Sequence, residues 1–168
     1  MTYIVGMAPG TQYSGTDFLQ GKCPAPGTRG VTADSKEYVF CLVAASQNLI
    51  DGHLVTIDPT TFTVTIAAAG APAPGAANIL GVARSSTTAS ASAYIWVQRY
   101  GVGSVQATAS TLPNVALTVA AAAGFVDDAL ATASGAIDGL VLTASTAASG
   151  IVACFLTYPR FSEPGMPG

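Results

Sequence analysis

The sequence predicts an all-β protein, an antiparallel β-barrel or sandwich with an extended N-terminal arm and a short C-terminal tail. Three observations carry this reading. Short runs rich in Val, Ile, Thr and aromatic residues recur with turn residues every ten positions or so. One run, Thr61-Phe62-Thr63-Val64-Thr65-Ile66, alternates without a fault. Eighteen Gly and ten Pro in 168 residues interrupt most stretches long enough to hold a helix.

Residues 1–35 read as the arm. Ala8-Pro9-Gly10, Ser14-Gly15-Thr16 and Cys23-Pro24-Ala25-Pro26-Gly27 leave no helical or strand period. Tyr3, Ile4, Tyr13, Phe18 and Leu19 are anchors that disordered tails lack, so the arm is expected to dock on something. Residues 36–158 read as the body. Glu37–Val43 is strand-like. Asp51-Gly52 and Asp58-Pro59 are turns around Leu54–Ile57, and 53–58 with 61–66 form a hairpin whose buried face carries Phe62, Val64 and Ile66. Residues 67–78 read as a loop. Ile79–Arg84 is a short strand in which Gly81 marks a bulge or a close backbone approach. Ser85–Ser92 is a polar turn region. Ala93–Tyr100 places Tyr94, Trp96, Gln98 and Tyr100 on one face and Ile95, Val97 and Arg99 on the other, before a kink at Gly101 and Gly103. Val115–Val119 and Leu140–Thr143 look like strands; the alanine-rich stretch between them has helix propensity, opposed by Gly124 and Gly135. Gly150–Tyr158 is a closing strand, and 159–168 is the Pro/Gly tail.

Charge narrows the function classes. Only 9% of residues are charged, against about 25% in an ordinary soluble domain. Such a surface calls for a membrane or a permanent assembly. A membrane span is not expected, because the best apolar run, Leu112–Val126, contains Pro113 and Asn114 and stops at Asp127-Asp128. Nor does the start read as a signal peptide. Nucleic acid is not expected as a partner, since Lys22, Arg29, Lys36, Arg84, Arg99 and Arg160 are scattered along the chain. Cys23, Cys41 and Cys154 have no metal or disulfide spacing and read as small buried hydrophobes.

No enzyme motif emerges, and no cofactor is expected. His53, the single histidine, has Asp51 and Asp58 nearby but no GxSxG elbow, and reads as an exposed or interface histidine. Asp127-Asp128 with Asp138 lack calcium-loop spacing. Gly101 and Gly103 do not complete a nucleotide-binding motif. Tyr94, Trp96 and Tyr100 could stack on a sugar, as in an adhesin or fibre module, although aromatics on a central strand are more often core or subunit contact.

The body resembles the head decoration, or cement, proteins of tailed bacteriophages. Asp51-Gly52-His53-Leu54-Val55-Thr56-Ile57-Asp58 resembles their G-x-x-V strand after a polar turn. Ile79-Leu80-Gly81-Val82-Ala83 resembles their I-x-G-V-A step, and Tyr94 to Val105 the V-x-x-x-G segment that follows. The likeness covers roughly residues 45–110; the alanine-rich 116–136 stretch departs from it. The resemblance implies a virion protein on the capsid exterior, made in the bacterial cytoplasm. It would clamp adjacent subunits of the major capsid protein and act as a homotrimer, with avidity from many weak contacts. Tyr3, Ile4, Tyr13, Phe18 and Arg29 are then expected as arm anchors, and Tyr158, Arg160 and Phe161 as tail anchors. The other readings are the carbohydrate-binding module and another phage tail part, such as a tube or fibre subunit.

Overall fold

A computed structural model describes residues 3–5, 7–69, 79–88, 92–128 and 136–162, with residues 3–5 described by backbone alone. The fold is all-β. In chain order the elements are β1 (Tyr3–Val5), β2 (Tyr13–Ser14), α1 (Gly15–Leu19), β3 (Arg29–Val31), β4 (Glu37–Val43), β5 (Leu54–Ile57), β6 (Thr63–Ile66), β7 (Ile79–Ala83), β8 (Ala93–Ala107), β9 (Leu117–Val119), β10 (Val126–Asp127), β11 (Ala136–Leu142) and β12 (Gly150–Phe161). Pairing is mostly antiparallel, but β1–β3, β4–β6 and β8–β10 are parallel.

The pairings close into two circuits that share β8. The first runs β4–β6–β5–β7–β8 and back to β4. The second runs β8–β12–β11–β9–β10 and back to β8. The long strand changes partners at its middle: its first half pairs with β4 and β7, its second with β12. Gly101, at φ 92°, makes the bend between the halves. Gln98 is buried beneath it and donates its Nε2–H to the carbonyls of Tyr100 at 3.2 Å and Val102 at 3.0 Å.

Two aliphatic cores follow. Cys41, Val55, Ile57, Val64, Ile95 and Val97 fill the first circuit. Val105, Leu117, Val126, Leu142, Cys154 and Leu156 belong to the second. The β5–β7 wall is buried on both sides, since Leu54, Leu80 and Val82 face the second core. Gly81 is where that wall meets β8: a Cβ there would collide with Val97 Cγ1 and lie 3.0 Å from the Gln98 carbonyl oxygen. The close approach expected at Gly81 is present.

The expected hairpin exists with Val55 opposite Ile66 and Ile57 opposite Val64. Its second strand starts at Thr63, because Asp58 accepts from the Thr60 and Thr61 N–H groups and Phe62 turns at φ 52°. The closing strand continues past Tyr158 through Pro159 to Phe161, so the tail begins later than the sequence suggested. Residue 158 adopts φ 55° opposite Gly139 at φ 76°, a bulge that lets the strand resume pairing with β11 at Arg160.

The N-terminal segment is not structureless. Ser14 caps α1: its Oγ accepts from the Asp17 N–H at 3.1 Å, while Asp17 Oδ2 accepts from the Ser14 N–H at 2.9 Å. This reciprocal box fixes one helical turn where periodicity showed none. Most of the loop at 67–78, part of the polar turn, residues 129–135 of the alanine-rich stretch and the tail from residue 163 lie outside the described residues.

Candidate functional site

The N-terminal anchors lie against the chain's own body. β2 pairs with the start of β8, Tyr13 opposite Tyr94. The Tyr13 ring meets Phe40 edge-on at 5.6 Å, and Phe18 stacks on Tyr94 at 4.8 Å. With Met7 and Cys23 they cover a cluster of Tyr38, Phe40, Tyr94 and Trp96. Trp96 is 2% exposed, and its indole N–H meets no acceptor, so packing alone holds it. The aromatic face that could have stacked on a sugar at Tyr94 and Trp96 is therefore roofed by residues 7–23. Tyr3 and Ile4 sit opposite Arg29 and Gly30 through their backbones; their side chains lie outside the description.

The other anchors divide. Phe161 is 3% exposed and belongs to the second core. Arg29 on β3 and Tyr158 on β12 share a cavity with Glu37, Ile79 and Arg99, which sequence reasoning did not single out as a site; Arg160 lines an adjoining cavity with Asp138, weighed from the sequence only as a calcium-loop residue. The Tyr158 hydroxyl donates to Glu37 Oε2 at 2.8 Å, and this bond, with some burial, holds the phenol above its ordinary value. The Tyr158 ring stacks on Tyr100 at 5.4 Å, and the Arg99 guanidinium lies 5.7 Å from its centroid.

From Tyr158 an apolar face extends over the second circuit. Across three strands Val141 stands opposite Phe155, and Phe155 opposite Val102. These three are 41%, 37% and 60% exposed, and Ile151, further along β12, is 56% exposed. Tyr100 meets Phe155 edge-on at 5.9 Å. The outward positions Val102, Ser104, Val141, Ile151, Ala153, Phe155 and Thr157 carry no charged side chain. Charges stand only at the borders, where Arg84 reaches Ser104 and Arg160 faces Asp138 at 4.0 Å. A signal for this face was present: Ile151-Val152-Ala153-Cys154-Phe155-Leu156 is apolar on both faces, and only one of them meets the core.

The histidine and two of the cysteines lie in the packed interior. His53, read from the sequence as an exposed or interface histidine, is buried within the chain's own fold. Its Nδ1 accepts from the Ile50 N–H at 3.3 Å, its ring lies 5.7 Å from Phe125, and burial lowers its proton affinity. Gly124, at φ 82°, lets the chain pass under that ring. Cys41 and Cys154 are buried thiols, the latter pushed up to about 12 chiefly by burial. Cys23 is half-buried, unlike the small buried hydrophobe the sequence suggested, and all three are free. Among the described residues no three His, Cys, Asp or Glu side chains converge as metal ligands, and no helix is long and apolar enough to cross a membrane. No protein-family model matches the chain, and a search of curated proteins finds no relative.

Proposed function

We propose that this protein is a non-enzymatic structural subunit that binds the outside of an icosahedral phage capsid and cements adjacent major capsid subunits. The observation that carries the reading is the uncharged apolar face of β11, β12 and β8. Exposed apolar surface of this kind, bordered by ion pairs, is the anatomy of a protein interface. A chain with only fifteen formally charged side chains, nine acidic and six basic, has little else to keep that face apart from a neighbour. The likeness to cement proteins supplies the partner and the setting: a homotrimer on the virion exterior, with the major capsid protein beneath it. The sugar-binding alternative is weakened by the roof over Trp96.

Purified protein should self-associate, bind expanded empty capsids of a tailed phage and raise their heat stability, read by calorimetry of the particles. A chain that stays monomeric and leaves the capsid transition unmoved sinks the reading.

A further inference from the structure

The six cations are scattered along the sequence, yet three of them gather in space. Arg29 and Arg99 line a cavity of about 270 Å³ with Glu37, Tyr38, Val39, Ile79 and Tyr158. A larger cavity of about 650 Å³ shares Ile79, Arg99 and Tyr158 with it and adds Arg160 and Asp138. Arg160 already faces Asp138, while Glu37 accepts the Tyr158 hydroxyl, a neutral donor that leaves its charge in place. Arg29 and Arg99 have no ion pair among the described residues.

Arg99 is the unusual member. Its Nε is buried with no acceptor, and its only described contact with an electron-rich group is the Tyr158 ring. Burial first, and Arg29 second, weaken its hold on a proton. A buried cationic donor without an acceptor costs free energy. Its stem passes over Gly81, where the missing side chain leaves room: Arg99 Cδ lies 3.2 Å from where a Cβ on Gly81 would stand. The guanidinium fork matches a planar carboxylate. Two guanidiniums against the Glu37 carboxylate leave one net positive charge in the smaller cavity, which a monoanion neutralises and a phosphate dianion does not. The walls, Ile79, Val39 and the Tyr158 ring, are apolar or aromatic.

We propose that this cavity is a binding site for a carboxylate carried on an apolar or aromatic stem, with Arg29 and Arg99 on the carboxylate and Ile79 and Tyr158 against the stem. The site stands on its own geometry and does not depend on the capsid reading.

Sodium benzoate tests it, titrated at constant ionic strength against the full chain while the arginine Nε–H signals are followed by NMR, with sodium phosphate and sodium chloride as parallel arms. A saturable benzoate shift at Arg99, larger than either other anion gives, is the expected result. Arg29→Gln should weaken benzoate at least about tenfold, the loss of one charge-assisted hydrogen-bond donor. Arg29→Lys, which keeps the charge and loses the fork, provides the same comparison with less risk to the fold and should also weaken it. Arg160→Gln should leave it within about twofold, its guanidinium being exposed and paired elsewhere. A benzoate response that does not saturate, that phosphate equals, or that survives both Arg29 variants unchanged overturns the proposal.

Discussion

Single side chains hold the places where this fold departs from regular strand. Gln98 is the clearest case, because its one buried amide group donates to the carbonyls of Tyr100, Gly101 and Val102 around the bend. Replacing it by Leu keeps the volume roughly and removes the donor. Gln98→Leu should cost about 1–3 kcal/mol, the penalty of taking a buried donor from the acceptors it serves, read as a lower denaturant midpoint with an unchanged slope. His53 makes stability depend on pH. Its folded affinity for a proton lies below the ordinary value near 6.5, so the unfolded chain binds the proton more readily. Its contribution is complete above that value and is lost as pH falls through the folded value. Stability should therefore drop below about pH 6.5, and His53→Gln should flatten that part of the profile, measured by urea melts across pH 5–8. An unchanged slope would mean the histidine is not the group responsible.

At the scale of elements, what local periodicity can encode was legible. The hairpin and the two faces of β8 follow from alternation over neighbouring residues, and both are present. What pairs with what was not legible, because no local period says that Tyr13 lies opposite Tyr94 or that Val126 lies opposite Ala107. The arm shows the same limit. Its aromatic anchors were visible, but the surface they cover depends on β2 reaching β8. Phe18 is the test of that cover. Phe18→Ala removes a stacked pair worth about 0.5–1.5 kcal/mol beyond area burial. Because Trp96 is the single tryptophan, its emission should move to the red and quench more readily with acrylamide as the cover loosens. Emission that stays put would show that β2 and Met7 hold the roof without it.

For the molecule as a whole, the candidate site was half legible. Arg29, Tyr158 and Arg160 were picked out as separate anchors of an arm and a tail, and the fold places them around adjoining cavities. Arg99 and Glu37 were named only as members of strands, because no local pattern shows what a strand's charge meets across the fold. The apolar face left a signal, a strand apolar on both sides, but double burial leaves the same pattern. Val102→Lys tests the role of that face directly. Val102 is 60% exposed, so the folded chain should tolerate the lysine within about 0.5 kcal/mol. Self-association should weaken sharply, read by sedimentation, as a charge placed inside an apolar contact must be desolvated. Association that survives the change would move the interface elsewhere.

The shared strand β8 also sets an order of events during synthesis. Every strand of the first circuit lies between residues 37 and 107, so that circuit can close while later residues are still in the ribosome. The second cannot close until residues 150–161 emerge, and until then the far half of β8 waits without its main partner. Pairings this distant along the chain form slowly. A nascent chain halted at that point would offer the hydrogen bonds of an open edge to any neighbouring strand. Gly101 and Gly103, poor strand formers placed along that waiting edge, make it a weaker template for wrong pairing until β12 arrives.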